Sequence, residues 1–452
     1  MSDVPEPPAF PCRSLLPDGR LLRLAGLYPQ AQDGLWMQRV QVPAGRLAAD
    51  EWLALARIAR DLTPTAPLHL TTRQGVELHN LTLDRVAAAQ QALAAAGLTG
   101  LGTGGDTLRN VIVCPGSGLT AETSDLEPLA RRVRELLKSV DGIYALPRKF
   151  KVSFSACPSR CGRPWIHDVG LLAQRGDGPL TFEVVAGGSL GSRPGTAMRL
   201  FDRLPAADVL PCMLALVRLF AVHGDREHRG RARLRHVREQ LGDDRFAAMA
   251  REGLAAARAE RSWPDIDLPK ADGRFAGRGV LTFPNGDVTP AQAESLAALA
   301  GREDLRVRVG LDHRVFVFGR NAEFVAAALA GLPALERARQ PQPAVIACPG
   351  HRWCKRGLVD TNGLVARMRA LPPGTFPPEA TIGISGCPNG CAHSAVADIG
   401  LVGGRAAAHG GSREAFTLLT GGDLGRSPRL ADVVARGLSA DEVLARLSRR
   451  AE

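Results

Sequence analysis

Four cysteines in the last quarter of the sequence have the types and spacing of a metal or cluster site. They occur as Cys348-x5-Cys354 and Cys387-x3-Cys391, the second pair within "SGCPNGC". Four thiolates in such an arrangement bind either Zn²⁺ or an iron–sulfur cluster. The gap of five residues fits a zinc knuckle poorly, because those pairs usually have two to four residues between them. Cys-Pro and Gly-Cys-Pro at strand ends favour a [4Fe–4S] cluster, since glycine allows close approach of the backbone.

A similar but incomplete set lies in the first half of the chain. Cys114, Cys157 and Cys161 occupy matching positions, and Thr120 stands where the second half has Cys354. A second cluster with water or another ligand is one interpretation. A degenerate copy is the other, and we favour it, because loss of one thiolate removes much of the binding free energy of a cluster.

The composition narrows the class of protein. Nine cysteines among 452 residues are an odd number and are clustered, which favours reduced thiols that hold a metal over a disulfide framework. The net charge of +11 comes almost entirely from arginine and is spread along the chain, without the basic tail or aromatic-rich segment typical of nucleic-acid binding. The sequence therefore predicts small anionic ligands or acidic protein partners, and no nucleic acid.

The sequence also predicts a cytoplasmic protein without a membrane span. The N-terminal residues contain neither the apolar core nor the cleavage site of a secretory signal. The most apolar stretch, "VLPCMLALVRLFAV" from Val209, is too short to cross a bilayer and contains Arg218. We expect it to form a buried helix.

The elements that must position the cysteines repeat along the chain. "VPAGRLAADEWLALARIA" from Val42 matches "FPNGDVTPAQAESLAALA" from Phe283, and each is followed by two short alternating strands and an Ala-rich helix. Each copy has the pattern β-α-β-β-α, about half of a ferredoxin-like sandwich. "NVIVCPGSGL" and "AVIACPGHRWC" then begin a larger lobe in each copy. We therefore predict an α+β fold of two pseudo-symmetric halves, each a ferredoxin-like half-domain plus a larger α/β lobe, with cofactors in the central crevice.

This repeat predicts four domains. They are a first ferredoxin-like half-domain at 20–95, a first lobe with the degenerate cysteine pattern at 96–262, a second half-domain at 272–338 and a second lobe with the four cysteines at 339–450. The linker at 261–277 contains Pro and Gly and has no clear periodicity.

From about Leu22 to Leu447, the chain resembles the sulfite and nitrite reductases that carry siroheme and a [4Fe–4S] cluster. Several separated motifs carry the resemblance, which makes it far more specific than any single pattern. They are "GLYPQ" (26–30), "MQRVQVPAG" (37–45), "LTTRQ" (70–74), "TLRNV" (107–111), "LPRKFK" (146–151), "SGCPNGC" (385–391) and the "GG" segments after each half.

The family pattern implies that the four cysteines of the second half hold the cluster. It also implies that the Cys391 thiolate ligates the siroheme iron and so joins the two centres. Asn389 and Gly390 are expected to shape the intervening turn, since both residue types tolerate the left-handed backbone region. Both large lobes are implied to contribute to siroheme binding.

The resemblance further implies a cationic cage for a small oxyanion. The substrate-binding positions of the family match Arg39, Arg109, Lys149 and Lys151. Guanidinium forks fix the geometry of an oxyanion, and ammonium groups pass protons to an oxygen that leaves as water. Two of only five lysines in the chain fall in this one tripeptide, which fits a specific role.

Siroheme contacts are implied at a second group of residues. Because the cofactor carries several carboxylates, its pocket must be cationic. The segment "TTRQ" supplies Thr72, Arg73 and Gln74, whereas His79 and Arg148 are candidates that could equally be structural. The basic run at 224–237 has a family counterpart and either reaches the cofactor or docks a donor.

The resemblance implies a six-electron reduction of sulfite to sulfide. Lys151 favours sulfite, because plant-type nitrite reductases of the family carry Asn there; reduction of nitrite to ammonia is the alternative. A precorrin-3B synthase shares the repeat and the cluster but needs no oxyanion cage. A metal-stabilised binding module leaves both the cage and the repeat unexplained.

Two positions depart from the family pattern. Gln41 replaces the second arginine of an R-x-R motif that begins at Arg39. Some members have a Tyr–Cys crosslink near the active site; Tyr28 is present here, but Gly104 occupies the expected cysteine position, so we predict no crosslink.

The sequence contains no convincing flavin or nicotinamide fingerprint. Electrons are therefore expected from a separate acidic protein, namely a ferredoxin, a flavodoxin or a flavoprotein subunit. The lack of further ferredoxin-type cysteines favours an assimilatory role.

Overall fold

The first quarter of the chain forms a small antiparallel sheet covered by helices. The computed structural model describes residues 19–448 except 121–122, 177, 272, 341–342, 373, 378 and 425–427. The sheet order is β1-β2-β4-β3. The elements are α1 (Gly19–Leu24), β1 (Leu27–Pro29), β2 (Leu35–Val40), α2 (Ala49–Asp61), β3 (Leu68–Leu70), β4 (Val76–Thr82) and α3 (Leu83–Ala95).

The first large lobe is built on a five-stranded mixed sheet. Its order is β5-β6-β7-β8-β9, in which the first three strands are parallel and the last two antiparallel. The elements are β5 (Ile112–Val113), α4 (Glu127–Lys138), β6 (Val152–Ser155), β7 (Val169–Gln174), β8 (Thr181–Ala186), β9 (Met198–Pro205), α5 (Val209–His223), α6 (Leu234–Leu241) and α7 (Asp243–Glu260).

Helix α5 contains the apolar stretch noted in the sequence. Together with the preceding turn it is, among the described residues, the one helical segment long and apolar enough to cross a membrane. Its side chains, including Met213, Val217 and Phe220, are buried in the core of the first lobe. The prediction of a buried core helix is confirmed.

The second half repeats the small sheet. Strands β10, β13 and β12 lie side by side and antiparallel. Thr289 caps α8, because its hydroxyl accepts from the Gln292 amide while the Gln292 side chain accepts from the Thr289 amide. The elements are β10 (Gly277–Thr282), β11 (Asp287–Val288), α8 (Pro290–Ala300), β12 (Arg306–Val309), β13 (Arg314–Gly319) and α9 (Ala322–Ala330).

The second large lobe has the same sheet topology as the first. Its order is β14-β15-β16-β17-β18, again three parallel strands followed by two antiparallel ones. The elements are β14 (Ala344–Ala347), α10 (Thr361–Arg369), β15 (Thr381–Ser385), β16 (Ile399–Ala408), β17 (Gly411–Thr420), β18 (Asp432–Leu438) and α11 (Ala440–Ser448). The predicted α+β fold of two similar halves is confirmed; the four domain boundaries stay a prediction.

The two ferredoxin-like units share one apolar core. Strand β11 of the second half pairs with β3 of the first, with Asp287 opposite His69 and Val288 opposite Leu68. Helices α2 and α8 pack together, so Trp52 and Leu296 belong to the same buried cluster. Neither unit therefore completes its core alone.

Unusual backbone conformations repeat with the sequence. Ala44 (φ 52°) corresponds to Asn285 (φ 54°), and Gln74 (φ 59°) corresponds to His313 (φ 62°). A non-glycine residue with positive φ is uncommon, so its recurrence at matching positions shows that the two copies keep the same local path.

Candidate active site and cluster site

The four cysteines of the second half lie on loops at one edge of a sheet. Cys348 follows β14 and Cys387 follows β15, and these neighbouring strands are parallel, so their carboxyl ends meet. The Gly386 amide donates to the Cys348 sulfur at 3.0 Å. Cys354 follows a short 3₁₀ turn and its amide donates to the Gly350 carbonyl at 3.1 Å.

Glycine is required where these loops cross. A Cβ on Gly386 would lie 2.7 Å from the Gly350 Cα and 3.4 Å from the Cys348 sulfur. Gly390 has φ +66°, which the turn before Cys391 demands. Of the two residues expected to shape this turn, Gly390 alone has a positive φ, and Asn389 is exposed.

The donor set fits a cluster better than a single ion. Among the described residues, three candidate ligand atoms come within 4.8 Å of one another only in the first half, at Cys114, Cys157 and Cys161. The second-half thiols are more widely spaced, as ligands to separate corners of a cluster must be. Burial raises the pKa of Cys348 to about 12, and it also raises the pKa values of Cys354 and Cys387. Cluster binding therefore releases protons.

Arg39 is the best-paired member of the cationic cage. Its Nε donates to the Glu77 carboxylate at 2.8 Å, and its guanidinium lies 4.7 Å from the centre of the Tyr28 ring. Burial opposes its charge, but the Glu77 carboxylate outweighs burial and raises the pKa of Arg39. The same contact holds the pKa of Glu77 below its usual range, against the effect of burial.

Arg73 and Arg109 carry buried donors that have no protein partner. Among the described residues, the Nε and Nη1 atoms of Arg73 and the Nε atom of Arg109 are buried without a hydrogen bond. Burial, with the charge of Arg109, lowers the pKa of Arg73 to about 9; burial lowers that of Arg109 to about 10. Unpaired buried guanidinium nitrogens are costly unless a ligand satisfies them, so they mark a site for anions.

Lys149 and Lys151 flank Phe150 immediately before β6. No hydrogen bond or ion pair reaches either ammonium group from the described residues. Burial, with Arg233 and Arg109 nearby, lowers the pKa of Lys149 to about 7. Burial, together with Arg73, lowers that of Lys151 well below its ordinary value. The two lysines are therefore destabilised as cations until an anion arrives.

The two halves bring these groups together in one crevice. The Thr72 hydroxyl donates to the Cys391 carbonyl at 3.1 Å. Negative charge on the Cys391 sulfur favours the charged forms of Arg39 and Lys149, although burial still leaves the pKa of Lys149 at about 7, so the cluster loop faces the cage. His393, two residues further on, is buried, and burial together with the charges of Arg163 and Lys151 lowers its pKa well below the usual value.

Two predicted cofactor contacts have internal partners instead. Gln74 is fully buried, and its amide nitrogen donates to the Val113 and Val309 carbonyls, both at 2.8 Å. His79 has both ring nitrogens engaged, by Gln30 at 3.1 Å and by Glu77 at 3.3 Å. For both residues the structure differs from the expectation of a siroheme contact and supports a structural role.

Arg148 is paired within the protein. Its Nη1 donates to Asp106 at 2.8 Å, and the same carboxylate accepts from Arg229 at 2.8 Å. The basic run at 224–237 thus reaches the rim of the cage through Arg229.

A buried ion pair that the sequence did not predict lies behind the cage. Arg233 donates to both oxygens of Asp168, at 3.1 and 2.6 Å, and the Lys151 amide donates to the same carboxylate at 2.8 Å. The repeat contained the signal: Asp398 accepts from the Thr381 amide at 2.8 Å in the equivalent place of the second half.

The two departures from the family pattern are explained locally. Gln41 is buried, and its side-chain carbonyl accepts from Arg134 of α4 at 2.9 Å, so its polar group is engaged within the protein. Gly104 lies against Tyr28, because a Cβ there would be 2.3 Å from the Tyr28 hydroxyl. The position is adjacent to the tyrosine, and glycine has no thiol to crosslink.

This fold and site define a siroheme and iron–sulfur reductase. The family model of the nitrite and sulphite reductase 4Fe-4S domain matches residues 104–256 and 343–448, and that of the nitrite/sulfite reductase ferredoxin-like half domain matches residues 28–96. The chain belongs to this family. It is an oxidoreductase whose cofactors are siroheme and a [4Fe–4S] cluster, and the clustered thiols and unpaired guanidinium donors fit both groups.

Similar proteins include enzymes for two oxyanions. The assimilatory ferredoxin-dependent nitrite reductase of Haloferax mediterranei is 29% identical over 92% of this chain and 79% of its own length. The ferredoxin–nitrite reductase of Synechococcus elongatus is 28% identical, covering 94% and 87%. The sulfite reductase [NADPH] hemoprotein beta-component of Acidithiobacillus ferrooxidans is 28% identical over 81% and 74%. The solved structure of Mycobacterium tuberculosis NirA has a TM-score of 0.80 at 24% identity over 95% and 85%, which shows the fold.

Proposed function

We propose that the protein reduces nitrite to ammonia with six electrons supplied by a ferredoxin. The main support for this proposal is a cationic crevice that faces the Cys391 loop. The crevice contains Arg39, Lys149 and the unpaired donors of Arg73 and Arg109. The relatives named above as ferredoxin-dependent nitrite reductases support nitrite over sulfite. This reverses the preference drawn from the sequence.

Reduction of sulfite to sulfide is the second candidate. Lys151 favours it, since a second unpaired ammonium in the cage suits an oxyanion that is a dianion once deprotonated. The sulfite reductase relative has a similar sequence identity, but its alignment covers less of this chain.

We assign the chemical roles by charge and position. When bound, siroheme and the cluster supply an iron with an open face and a path for single electrons. Arg39 and Arg109 bind and orient the oxyanion through their guanidinium groups. The Nζ atoms of Lys149 and Lys151 donate protons to oxygen that leaves as water, and the pKa of Lys149 at about 7 suits a proton donor near neutral pH.

We assign the cofactor contacts in the same way. The thiols of Cys348, Cys354, Cys387 and Cys391 would hold the cluster, and Cys391 would also serve siroheme. Thr72 and Arg73 are the remaining contacts to the siroheme side of the crevice, since Thr72 bonds the Cys391 backbone and Arg73 has free buried donors.

The electron donor is proposed to be an acidic ferredoxin in the cytoplasm. A chain with net charge +11 attracts such a partner and speeds encounter at low ionic strength. A flavodoxin or flavoprotein subunit would use the same attraction.

The test is a pair of steady-state rates on anaerobically purified protein with reduced ferredoxin. A kcat/KM for nitrite that exceeds that for sulfite supports the proposal. The reverse ratio makes sulfite the substrate. Visible absorption before and after addition of nitrite checks the site itself. A chlorin-type band in the red region that shifts with the anion supports an open oxyanion site, whereas a spectrum that ignores both anions overturns the reductase proposal and favours a corrin-ring enzyme.

A further inference from the structure

Three thiols of the first half converge at a place that the cluster does not occupy. Cys114 follows β5, and Cys157 and Cys161 follow β6. Their sulfur atoms all lie within 4.8 Å of one another. The Cys157 and Cys161 sulfurs are 2.9 Å apart.

The surroundings hold these sulfurs in place. The Ala156 amide donates to the Cys114 sulfur at 3.0 Å, and the Ser159 hydroxyl donates to the Cys157 sulfur at 3.2 Å. Cys114 is 2% exposed, whereas Cys157 and Cys161 are partly exposed. One face of the group is therefore fixed in the core and another can be reached by a small solute.

The distances between the sulfur atoms determine whether the three thiols suit one metal ion or a cluster. Two thiolates on one tetrahedral Zn²⁺ lie about 3.8 Å apart, given Zn–S bonds of about 2.3 Å. The three first-half sulfurs lie within 4.8 Å of one another, and the Cys157–Cys161 pair, at 2.9 Å, would have to part slightly to bind one ion, whereas the cluster cysteines of the second half do not form so tight a group. A tight trio thus fits one ion, and Thr120, in the place of the fourth cysteine, bonds to Thr123 instead of supplying a thiolate.

We propose that Cys114, Cys157 and Cys161 bind one thiophilic divalent ion, with Zn²⁺ as the best match, through three thiolates and a fourth position open to water. Soft sulfur ligands select Zn²⁺ over the hard cations Mg²⁺ and Ca²⁺. This site is separate from the [4Fe–4S] cluster and is not part of the electron path.

The ion would fix a loop that supports the active site. Residues 157–163 contain Arg160 and Arg163, both with φ 53°, a conformation that needs support from its surroundings. Arg163 contacts the ring of His393, two residues beyond Cys391. A metal at the base of this loop thereby positions a residue that touches the cluster loop of the other half.

Metal content of the holoenzyme tests the proposal. The full chain is purified without air in the presence of a thiol reductant, and zinc, iron and siroheme are counted per chain. We expect one zinc beyond the iron of a single cluster. The variant Cys157→Ser/Cys161→Ser should lose that zinc while iron and siroheme stay unchanged. Cys212→Ala is the matched control, since Cys212 is a buried cysteine of α5 outside the group of three, and this variant should keep the zinc.

Two results would overturn the proposal. Iron at twice the amount of one cluster, half of it lost in the double variant, would mean a second cluster. A wild-type protein without zinc, with two thiols fewer than the sequence contains, would mean a Cys157–Cys161 disulfide.

A second measurement tests the proposal even if the Cys157→Ser/Cys161→Ser variant fails to fold. Wild-type protein grown with Co²⁺ in place of zinc should show a thiolate-to-cobalt charge-transfer band in the near ultraviolet, of an intensity that corresponds to three thiolates. If this band is absent and a single desalting step removes the cobalt, the proposed metal site is wrong. This result does not depend on any variant.

Discussion

Single residues of the cage hold positive charge that the protein alone does not balance. Lys149, Lys151, Arg73 and Arg109 all have lowered pKa values, because each is buried among other cations. Arg39 is the exception, since Glu77 pairs with it. A cage built in this way binds anions strongly, because the ligand removes repulsion as well as gaining attraction.

Lys149 should make nitrite binding depend on pH. Burial and its neighbours Arg233, Arg109 and Arg148 lower its pKa to about 7, while the Cys391 thiolate acts in the opposite direction. The group is charged below this pKa and neutral above it, so the KM for nitrite should rise by up to about tenfold per pH unit on the alkaline side. Nitrite stays anionic throughout, so the titration belongs to the enzyme.

Steady-state KM values between pH 6 and 9 check this expectation. In Lys149→Gln the KM should be high already at pH 6 and change little with pH. A variant that keeps the wild-type profile would assign the titration to another group.

Lys151 should set the preference between the two oxyanions. Replacement by Asn removes one ammonium and leaves Arg39, Arg109 and Lys149, which suffice for a monoanion. In Lys151→Asn the ratio of kcat/KM for sulfite to that for nitrite should fall by about tenfold. The exposed Lys270→Asn is the matched control and should leave the ratio unchanged. Equal loss of both rates in Lys151→Asn would contradict a role in selectivity.

At the scale of elements, the carboxyl ends of parallel strands position the cysteine side chains. β14 and β15 carry Cys348 and Cys387 to one edge, and β5 and β6 do the same for the first-half trio. The loops between can approach only where glycine leaves room.

Gly386→Ala should prevent assembly of the cluster site. Its Cβ would fall 2.7 Å from the Gly350 backbone, so one of the two cysteine loops must move. We expect iron per chain to fall at least severalfold and the siroheme absorption to weaken with it. Gly404→Ala on β16 is the control, since a Cβ there meets nothing within 4 Å. Full iron content in Gly386→Ala would show that the loops tolerate the displacement.

The repeat predicted most of these elements from the sequence, because helix and strand periodicities are local. The two ferredoxin-like units, the buried α5 and the loops that carry the cysteines were all predictable. The β11–β3 pairing was not, since it joins residues far apart along the chain and β11 has only two residues. Gln74 and His79 were assigned by motif alone, and only the structure reveals that their polar atoms have internal partners. Arg233 lies in the basic run at 224–237 and Asp168 recurs as Asp398, but their pairing joins residues far apart along the chain.

At the scale of the molecule, Gln74 acts as a joint between the halves. Its side chain bonds Val113 of the first lobe and Val309 of the second ferredoxin-like unit. The Val113 amide also donates to its oxygen at 3.1 Å. One amide thus satisfies three buried backbone groups from two parts of the chain.

Gln74→Leu should therefore weaken the junction as a whole. Each backbone group left unpaired costs roughly 1–3 kcal/mol, so the free energy of unfolding should fall by about 3 kcal/mol or more. Chemical denaturation measures this change, and hydrogen exchange should speed up at Val113 and around Val309. Gln240→Leu, exposed on α6, should change stability little. If the free energy of unfolding falls by a similar amount in both variants, Gln74 has no special role at this junction.

The pairing of β11 with β3 also bears on how such a chain can change over generations. The two copies are similar but differ in what they carry: the first has the buried cations of the proposed oxyanion cage, and the second has the four cysteines. Yet β11 of the second copy extends the sheet of the first, and the two copies cover each other's apolar face in one shared core. A recombination event that transferred one copy alone would leave an open sheet edge and an uncovered core, so the copies diverge in sequence but are inherited together.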